Sequence, residues 1–301
     1  MVEKINLTFL GTGGVIPTAK RNHMAILLNY KNENILIDCG EGTQRQFRRA
    51  KINPGRITRL LITHWHGDHI LGIPGLLQTL ALSGYKKTLY IYGPKGTEKF
   101  MKELLNVFHF VGKISIRVQE VNEGTFFENE DFYLEAEPMS HGIFCNAYNF
   151  VAKGKIRIDK RKLAKLKLPS GPLLKNLKLG KNIIYNGKKY IAKSLTYNEG
   201  GKKISFVLDT GVNKNIIPFV KGSALLVIES TYGEDMKKIA EDYKHLTSTQ
   251  AAEIGKKARV KELVLTHISQ RYDQDSNYLL QSAKKVFNKS HLVNDLDSIN
   301  V

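Results

Sequence analysis

The stretch that decides the fold is Thr63-His64-Trp65-His66-Gly67-Asp68-His69, which directly follows the apolar run RLLI. It brings three histidines and one aspartate together in a short loop. Neutral imidazoles suit Zn²⁺, and an added carboxylate also admits harder ions such as Mn²⁺. A solvated polar loop has no need for three histidines so close together. We therefore predict a metal site where this strand ends.

Further ligands are expected from three positions that also follow strand-like runs. His141 follows FYLEAEPMS, Asp209 follows ISFVL and His267 follows ELVLT. Residues just past the carboxyl ends of strands line the crevice of α/β sheets. Each of these three residues alone could equally be structural, but together with the loop they form one candidate site. The candidate ligands are His64, His66, Asp68, His69, His141, Asp209 and His267.

A mixed set of this size favours two metal ions over one. Two ions about 3.5 to 4 Å apart clamp the attacking and leaving oxygens of a displacement and lower the pKa of a bridging water toward about 7. This is hydrolytic chemistry. Asp209 is the expected bridging carboxylate. We assign His64, His66 and His141 to one ion, and Asp68, His69 and His267 to the other.

The rest of the chain alternates strand-like and helix-like runs. INLTFLG, AILLNY, NILIDCG and RLLITH predict strands, a helix-like run follows His69, and TLYIYG and residues 96–108 predict a further strand and helix. The second half repeats the pattern with ISFVLDTG, ALLVIESTY, STQAAEIGKKARV and ELVLTHIS. This alternation predicts an α/β layered fold in which helices cover the sheet faces.

The positive charge is concentrated in one segment. The 301 residues include 46 Lys and Arg against 28 Asp and Glu, a formal net charge of +18. Residues 151–193 hold 14 of the basic residues and a single acidic one, Asp159. Such an excess attracts polyanions. Because the segment has few large apolar residues and a PSGP turn, we expect a protruding arm rather than core, inserted in a single domain of residues 1–301.

Other classes are disfavoured by the sequence. The opening MVEKINLTFLGTGG lacks the apolar region of a secretory signal, and no run approaches the roughly 18 apolar residues of a membrane span. We expect a cytoplasmic protein that does not enter a membrane. Cys39 and Cys145 are too few for a disulfide framework and are interpreted as small buried residues. Ile16 stands where a dinucleotide fingerprint would need its last glycine.

The motifs resemble a known family. THWHGDH with the later His, Asp and His is similar to the metallo-β-lactamase superfamily. Within it, DCGEGTQRQ at residues 38–46 and GDHILGIPGLL after the histidines resemble ribonuclease Z. The resemblance runs from FLGTGG near residue 9 to THISQRY near residue 266. It implies an αβ/βα sandwich with the metals, two Zn²⁺ per subunit or another divalent ion such as Mn²⁺, at one edge between two sheets.

The resemblance also implies an activity and a partner. It implies an endonuclease that removes the 3′ trailer from precursor tRNA after the discriminator nucleotide, leaving a tRNA 3′-hydroxyl and a trailer 5′-phosphate. In this family a flexible arm with a Gly-Pro motif binds the tRNA elbow, and Gly171-Pro172 stand at the corresponding place with Lys175 nearby. Phosphate contacts by such an arm weaken steeply with salt. The family is typically a homodimer in which one subunit's arm serves the other's active site.

The remaining catalytic groups are assigned by position. His245-Leu246-Thr247 resembles the family's H-S-T loop, with leucine where serine is usual. A histidine with a pKa of about 6.5 can protonate the departing 3′ oxygen, and Glu229 in VIESTY is expected to orient it. Asp68 is expected to act on the attacking hydroxide from the other side.

The expected RNA contacts include a basic loop near the start. Pro17-Thr18-Ala19-Lys20-Arg21-Asn22 looks like the family's P-x-K-x-R-N loop, with the lysine one place later. Either Lys20 or Arg21 is therefore expected to face the trailing nucleotide. Thr247 and Arg271 are the other expected contacts.

Two alternative functions remain. A small-molecule phosphodiesterase or arylsulfatase keeps the fold and the metals but needs no polycationic arm. A non-catalytic RNA-binding module would be expected to lose ligands, whereas this chain has the full set. Hydrolysis of β-lactams, lactones or glyoxalase substrates leaves the arm and DCGEGTQRQ unexplained.

Overall fold

The computed structural model describes residues 4–112, 114–169 and 171–301. The chain divides into two compact units. The first contains the described residues up to 127 together with 134–150 and 203–301. The second contains residues 128–133 and 151–202. The candidate ligands all belong to the first unit.

The helices and strands are named in chain order. The strands are β1 (Ile5–Gly11), β2 (Gly13–Gly14), β3 (Ala25–Tyr30), β4 (Glu33–Ile37), β5 (Arg59–Leu61), β6 (Thr88–Gly93), β7 (Ser115–Glu120), β8 (Gly124–Glu128), β9 (Phe132–Pro138), β10 (Asn146–Ala152), β11 (Lys155–Ile158), β12 (Ile183–Tyr185), β13 (Lys188–Tyr190), β14 (Thr196–Glu199), β15 (Lys202–Val207), β16 (Leu225–Glu229), β17 (Leu263–Thr266), β18 (Ile268–Ser269), β19 (Ser290–Leu292) and β20 (Ser298–Asn300). The helices are α1 (Thr43–Arg49), α2 (Gly67–Ile70), α3 (Ile73–Leu82), α4 (Thr97–Val107), α5 (Lys160–Lys165), α6 (Leu173–Lys178), α7 (Ala192–Leu195), α8 (Ile216–Val220), α9 (Lys237–Asp242), α10 (Ser248–Lys257) and α11 (Asn277–Val286). None of the helices in the described residues is long and apolar enough to cross a bilayer.

Two seven-stranded sheets form the centre of the first unit. Their strand orders are β20-β1-β3-β4-β5-β6-β7 and β19-β17-β16-β15-β10-β9-β8. The run from β4 to β7 is parallel, as is the run β15-β16-β17-β19. Because parallel strands end at the same edge, the loops that follow β4, β5, β15 and β17 can meet there.

The sheets pack against each other and carry helices on their outer faces. Between them, the Tyr148 hydroxyl donates to the Ile62 carbonyl at 2.7 Å, and the Tyr30 and Phe150 rings lie 5.3 Å apart. Residues of α1 and α3 pack on the first sheet, and residues of α8, α10 and α11 pack on the second. Each fully buried large apolar side chain contributes about 1.5 to 3 kcal/mol to folding. The αβ/βα sandwich expected from the sequence is therefore present.

Helix α10 fixes the loop that precedes it. The Thr247 hydroxyl accepts from the Gln250 backbone N–H, and the Gln250 side chain accepts from the Thr247 backbone N–H, which is a capping box. A cap of this kind is worth about 1 kcal/mol. Ala251 and Ala252 on the same helix are fully buried. Cap and packing together hold the adjacent His245 in a defined place.

The second unit differs from the expectation drawn for residues 151–193. Strand β11 pairs with β14, and a small apolar core lies within the unit. The expectation that this segment is poor core material is wrong, because leucines recur among the lysines at spacings that bring them to one face of short helices. The buried members of this core are Leu163, Leu168, Leu177, Ile183, Ala192 and Leu195.

Both cysteines are buried free thiols. Burial raises the pKa of the Cys39 thiol to about 12 and raises that of Cys145 well above its ordinary value. Neither is a thiolate at neutral pH, and neither belongs to the clustered donor groups of the described residues. Their interpretation as small buried residues is confirmed.

Candidate metal centre

The first group of donor atoms comes from His64, His66, His141 and Asp209, all within 4.8 Å of one another. Nδ1 of His66 lies 3.0 Å from Nε2 of His64 and 3.2 Å from Nε2 of His141. His64 follows β5 closely, and α2 begins just after His66. The end of a buried strand and the start of a helix therefore set these side chains around one point.

The second group comes from Asp68, His69 and His267, again within 4.8 Å of one another. The Nε2 atoms of His69 and His267 are 3.2 Å apart, and Oδ2 of Asp68 lies 3.4 Å from each of them. The backbone N–H of Val15 donates to the same Asp68 oxygen at 2.9 Å. This contact fixes the carboxylate from the glycine turn after β1.

Asp209 lies between the two groups. Its Oδ1 is 3.2 Å from Nε2 of His267 and 3.4 Å from Nε2 of His69, whereas its Oδ2 is 3.6 Å from Nε2 of His64. Oδ1 is buried and has no hydrogen-bond partner among the described residues. A buried carboxylate oxygen without a donor is costly unless a cation satisfies it. The donor set therefore fits divalent metal ions, with one oxygen of Asp209 directed toward each group.

Asp38 stood in a quoted motif, but sequence reasoning gave it no role. Its Oδ2 accepts from Nδ1 of His69 at 2.7 Å and from the Thr63 hydroxyl at 2.8 Å, while its Oδ1 accepts from the Thr63 backbone N–H at 2.7 Å. Its φ of 57° lies in the left-handed region, a strained conformation that clusters at functional sites. Asp38 directly follows β4, and Asp209 follows β15 after one intervening residue; this similar position was the signal available.

The imidazoles of His141 and His267 also form hydrogen bonds through Nδ1, the nitrogen opposite the one that faces the cluster. Nδ1 of His141 donates to the Lys244 carbonyl at 3.2 Å, and Nδ1 of His267 donates to the Thr231 hydroxyl at 2.8 Å. A histidine whose Nδ1 carries the donated proton presents the lone pair of Nε2 to a metal. Thr231 and the Lys244 carbonyl are further site groups that no local motif indicates.

The two aspartates of the cluster stay ionised. Burial alone would raise the pKa of Asp68, but His69 and the hydrogen bond with His267 bring it below its ordinary value. Burial likewise opposes ionisation of Asp209, and His267 and His69 again lower its pKa. Both groups therefore offer carboxylate oxygens to cations throughout the neutral range.

His245 and Glu229 form a buried pair beside the cluster. Nδ1 of His245 lies 3.0 and 3.1 Å from the two Glu229 carboxylate oxygens. Burial would lower the pKa of His245, but the Glu229 carboxylate raises it to about 9. The pKa of Glu229 is lowered by the same partner, against the effect of burial. His245 thus holds a proton at neutral pH with its ring orientation fixed.

The remaining expected site residues have different surroundings. Arg21 is buried, and its guanidinium donates to the Thr12 hydroxyl and the Val293 carbonyl, both at 2.7 Å. Lys20 is exposed, and its Nζ donates to the Asp273 carbonyl. The Thr247 hydroxyl is buried and used by the helix cap. Arg271 is exposed in the first unit, and Gly171, Pro172 and Lys175 are exposed in the second.

Comparison with known proteins gives the family. A family model described as anti-Pycsar protein Apyc1 matches residues 5–141, which is less than half of the chain. The chain is 36% identical to ribonuclease Z of Methanothermobacter thermautotrophicus, over 99% of this chain and 97% of that protein. The chain belongs to the ribonuclease Z family. Ribonuclease Z of Lactiplantibacillus plantarum is 38% identical over 99% of this chain and 98% of that protein.

Solved structures agree with this family membership. Human tRNase Z, short form, superposes with a TM-score of 0.72 at 27% identity and covers 98% of each chain. A metallo-β-lactamase fold protein of Bacillus subtilis superposes with a TM-score of 0.73 at 18% identity, over 99% of this chain and 100% of that one, and shows the fold alone. The resemblance and the fold predicted from the motifs are confirmed. The histidines and aspartates of the cluster could hold a divalent metal.

We expect Gly14→Ala to weaken metal binding. A Cβ at Gly14 would lie 2.6 Å from Cε1 and Nδ1 of His267, and β2, which contains Gly14, is paired with β18 and cannot recede freely. The imidazole must then turn away from the cluster, with an expected loss of about 10- to 100-fold in metal affinity. Titration of the metal-free protein with Zn²⁺ or Mn²⁺ measures this change.

The matched control for this substitution is Gly142→Ala, next to His141. A Cβ at Gly142 meets no atom within 4 Å. Equal metal affinities for the two variants would show that Gly14 does not constrain His267.

Proposed function

We propose that this ribonuclease Z family member is a metal-dependent endoribonuclease that removes the 3′ trailer from precursor tRNA. The cut falls after the discriminator nucleotide, leaving a 3′-hydroxyl on the tRNA and a 5′-phosphate on the trailer. The observation that carries the proposal is the complete cluster of donor atoms in a chain that matches ribonucleases Z over nearly its whole length. The small-molecule phosphodiesterase and arylsulfatase alternatives are not favoured by these relatives.

The proposed metals are two Zn²⁺ ions, with Mn²⁺ as the alternative. One ion would be held by His64, His66 and His141, and the other by Asp68, His69 and His267. Asp209 would contribute to both sites. Ions bound there supply Lewis-acid stabilisation of the phosphodiester oxygens and acidify a water molecule. The convergence of the donor atoms and the unsatisfied oxygen of Asp209 support this assignment.

Two side chains act directly on the reacting groups in the proposed reaction. His245, protonated at neutral pH and held through Nδ1 by Glu229, donates a proton to the departing 3′ oxygen. Asp68, ionised and fixed by the Val15 backbone N–H, accepts a hydrogen bond from the attacking water and so orients it. The two groups act on opposite sides of the phosphate.

The proposed RNA contacts include exposed basic residues of the first unit. Lys20 is the basic group of its loop that reaches solvent, whereas the buried Arg21 packs the loop in place. We therefore favour Lys20 as the contact to the trailing nucleotide. Arg271 is a second contact. Thr247 acts by capping α10 and so positioning His245.

The tRNA elbow is assigned to the second unit. Its exposed Gly171-Pro172 turn lies at the start of α6, and Lys175 and Lys178 lie in the last turn of that helix. Phosphate contacts from such lysines give affinity without sequence readout. The arm proposed from residues 151–193 would supply this remote contact.

A homodimer acting in the cytoplasm completes the proposal. Leu82, Phe108 and Val111 are 67%, 48% and 66% exposed. Two hydrogen bonds between Gln78 and the Val111 backbone hold the segment after α4 against α3, the helix that ends at Leu82. An exposed apolar surface of this kind suits a subunit interface. The free thiols are the usual state in a reducing compartment.

Cleavage of a 3′-extended precursor tRNA tests the proposed function. Protein loaded with Zn²⁺ or Mn²⁺ should make one cut after the discriminator, and mapping both product ends should give a 3′-hydroxyl and a 5′-phosphate. If the metal-loaded protein leaves the precursor intact but hydrolyses a small phosphodiester, the function is that of a small-molecule phosphodiesterase.

Deleting residues 155–199 and joining Gly154 to Gly200 should separate the two substrates. The register pairs Lys155 with Glu199, so the ends left by the deletion lie side by side. The deletion removes β11, β14 and the small apolar core as one unit. We expect cleavage of precursor tRNA to fall at least about 100-fold through lost phosphate contacts. Hydrolysis of a small phosphodiester should stay within about twofold.

A milder variant separates loss of charge from loss of the segment. Lys175→Gln with Lys178→Gln and Lys181→Gln keeps residues 155–199 but removes three cations, and should lose part of the same activity. Equal losses on the two substrates, in either variant, would refute the elbow assignment.

A further inference from the structure

A basic groove lies in the first unit outside the metal centre. Two cavities of about 740 and about 1020 Å³ share Lys51, Ile52, Asn53 and Lys87 in their walls and so form one groove. No acidic side chain of the described residues lines either cavity. The cations in the walls are Lys31, Arg48, Lys51, Arg56, Lys86 and Lys87.

The groove lies at the opposite end of the first sheet from the metal centre. Asn34 near the start of β4, and Lys87 just before β6, line the groove. The other ends of β4 and β5 lead to Asp38 and Thr63. A strand rises about 3.3 Å per residue, so the groove is about 15 to 20 Å from the metal centre. The two sites share no side chains.

All six cations of the groove are exposed. In the described part of the chain, five of them form no ion pair with a carboxylate. These five are Arg48, Lys51, Arg56, Lys86 and Lys87. Like charges collected around one concave surface raise the local potential and attract an anion.

Lys51 occupies a backbone position that suits glycine better. It follows α1 and its C-cap Ala50 with a φ of 57°, in the left-handed region. Glycine is the usual residue there because it adopts this conformation without a steric cost. A lysine at such a position adds charge to the groove at a cost in backbone strain.

The walls offer charge and amides but no ring for stacking. Among the described residues, the aromatic side chain in the walls is Tyr85, which is buried and donates its hydroxyl to the Ile57 carbonyl at 2.8 Å. Proteins that hold single-stranded bases use exposed aromatic rings, whereas backbone contacts need only cations and polar groups. We propose that the groove binds the sugar–phosphate backbone of RNA away from the bond that is cut. The choice of RNA among polyanions rests on the proposed function.

Two triple variants of equal charge test the groove. The groove variant carries Lys51→Gly, Arg56→Ala and Lys87→Ala. The control carries Arg259→Gly, Lys238→Ala and Lys284→Ala, all exposed and outside the groove. Arg259 follows α10 as Lys51 follows α1, and it too is left-handed, with a φ of 54°. The two variants therefore match in charge and in relief of backbone strain.

Affinity for a 20-nucleotide oligouridine is measured across a series of KCl concentrations. Each lost phosphate contact should reduce the slope of log affinity against log salt by about 0.7, so the groove variant should lose about 2 and bind more weakly. The control variant should keep the wild-type slope. Thermal unfolding should show neither triple variant less stable than wild type by more than a few degrees.

Equal slopes of log affinity against log salt in the two triple variants would overturn the proposal. An acidic protein would then be the partner to test for the groove. Cleavage of precursor tRNA by the wild type is scored separately. A wild type that cuts nothing would refute the proposed function, while the slopes would still decide the groove.

Discussion

Replacing Asp209 by alanine is expected to lower cleavage of precursor tRNA by at least about 10³-fold, and to reduce the bound metal from the two proposed ions per chain to one or fewer. Asp209 directs one carboxylate oxygen toward each group of histidines, so both groups lose a donor at once. The measurements are single-turnover cleavage and metal content after dialysis.

Two further variants make this result interpretable. Asp209→Asn keeps the shape of the buried side chain, so it separates loss of charge from loss of packing. Asp242→Ala removes an exposed aspartate from the end of α9 and should change neither quantity. Full metal content together with undiminished cleavage in both Asp209 variants would show that this carboxylate does not bridge.

His245→Ala is expected to slow cleavage by about 10²- to 10⁴-fold while leaving the metal content unchanged. Nδ1 of His245 is held by Glu229, and Nε2 makes no hydrogen bond within the described residues, so the ring is positioned to act on substrate. Loss of metal in proportion to activity would instead make His245 a ligand, because it also lies near Asp209 and His267.

Glu229→Gln separates orientation from ordinary packing. The Glu229 carboxylate raises the pKa of His245, so a neutral glutamine lowers it. The protonated imidazole of His245 is the proposed acid, so in Glu229→Gln this protonated form disappears at a lower pH than in the wild type. The alkaline limb of kcat should therefore move to lower pH in Glu229→Gln and stay in place in Glu241→Gln, whose side chain is exposed. An unmoved limb in both variants would refute the orienting role.

The candidate metal ligands could be grouped from the sequence because they lie at or shortly after the ends of apolar strands. His64 to His69 are contiguous, and Asp209 and His267 directly follow runs whose burial is evident from composition alone. The groups that orient these ligands were harder to find. Asp38 contacts His69 across 31 positions of sequence, and Thr231 contacts His267 across 36. No short motif joins such pairs, since the sheet brings them together.

The basic loop near the start shows the same limit. The motif could not choose between Lys20 and Arg21, because the partners of Arg21 are Thr12 nearby and Val293 and Asn294 near the end of the sequence. The small core of the second unit was missed for a different reason. Average composition hides leucines that are spaced to meet on one side of short helices.

The two buried thiols make this protein suitable for site-specific labelling. Cys39 and Cys145 are its only cysteines, and burial keeps both protonated at neutral pH. A cysteine introduced at an exposed position outside the proposed RNA contacts, as in Lys238→Cys or Lys284→Cys, would therefore react alone with a maleimide dye. Energy transfer from such a dye to a fluorophore on the RNA would then report docking in real time. The two native cysteines would not need to be replaced.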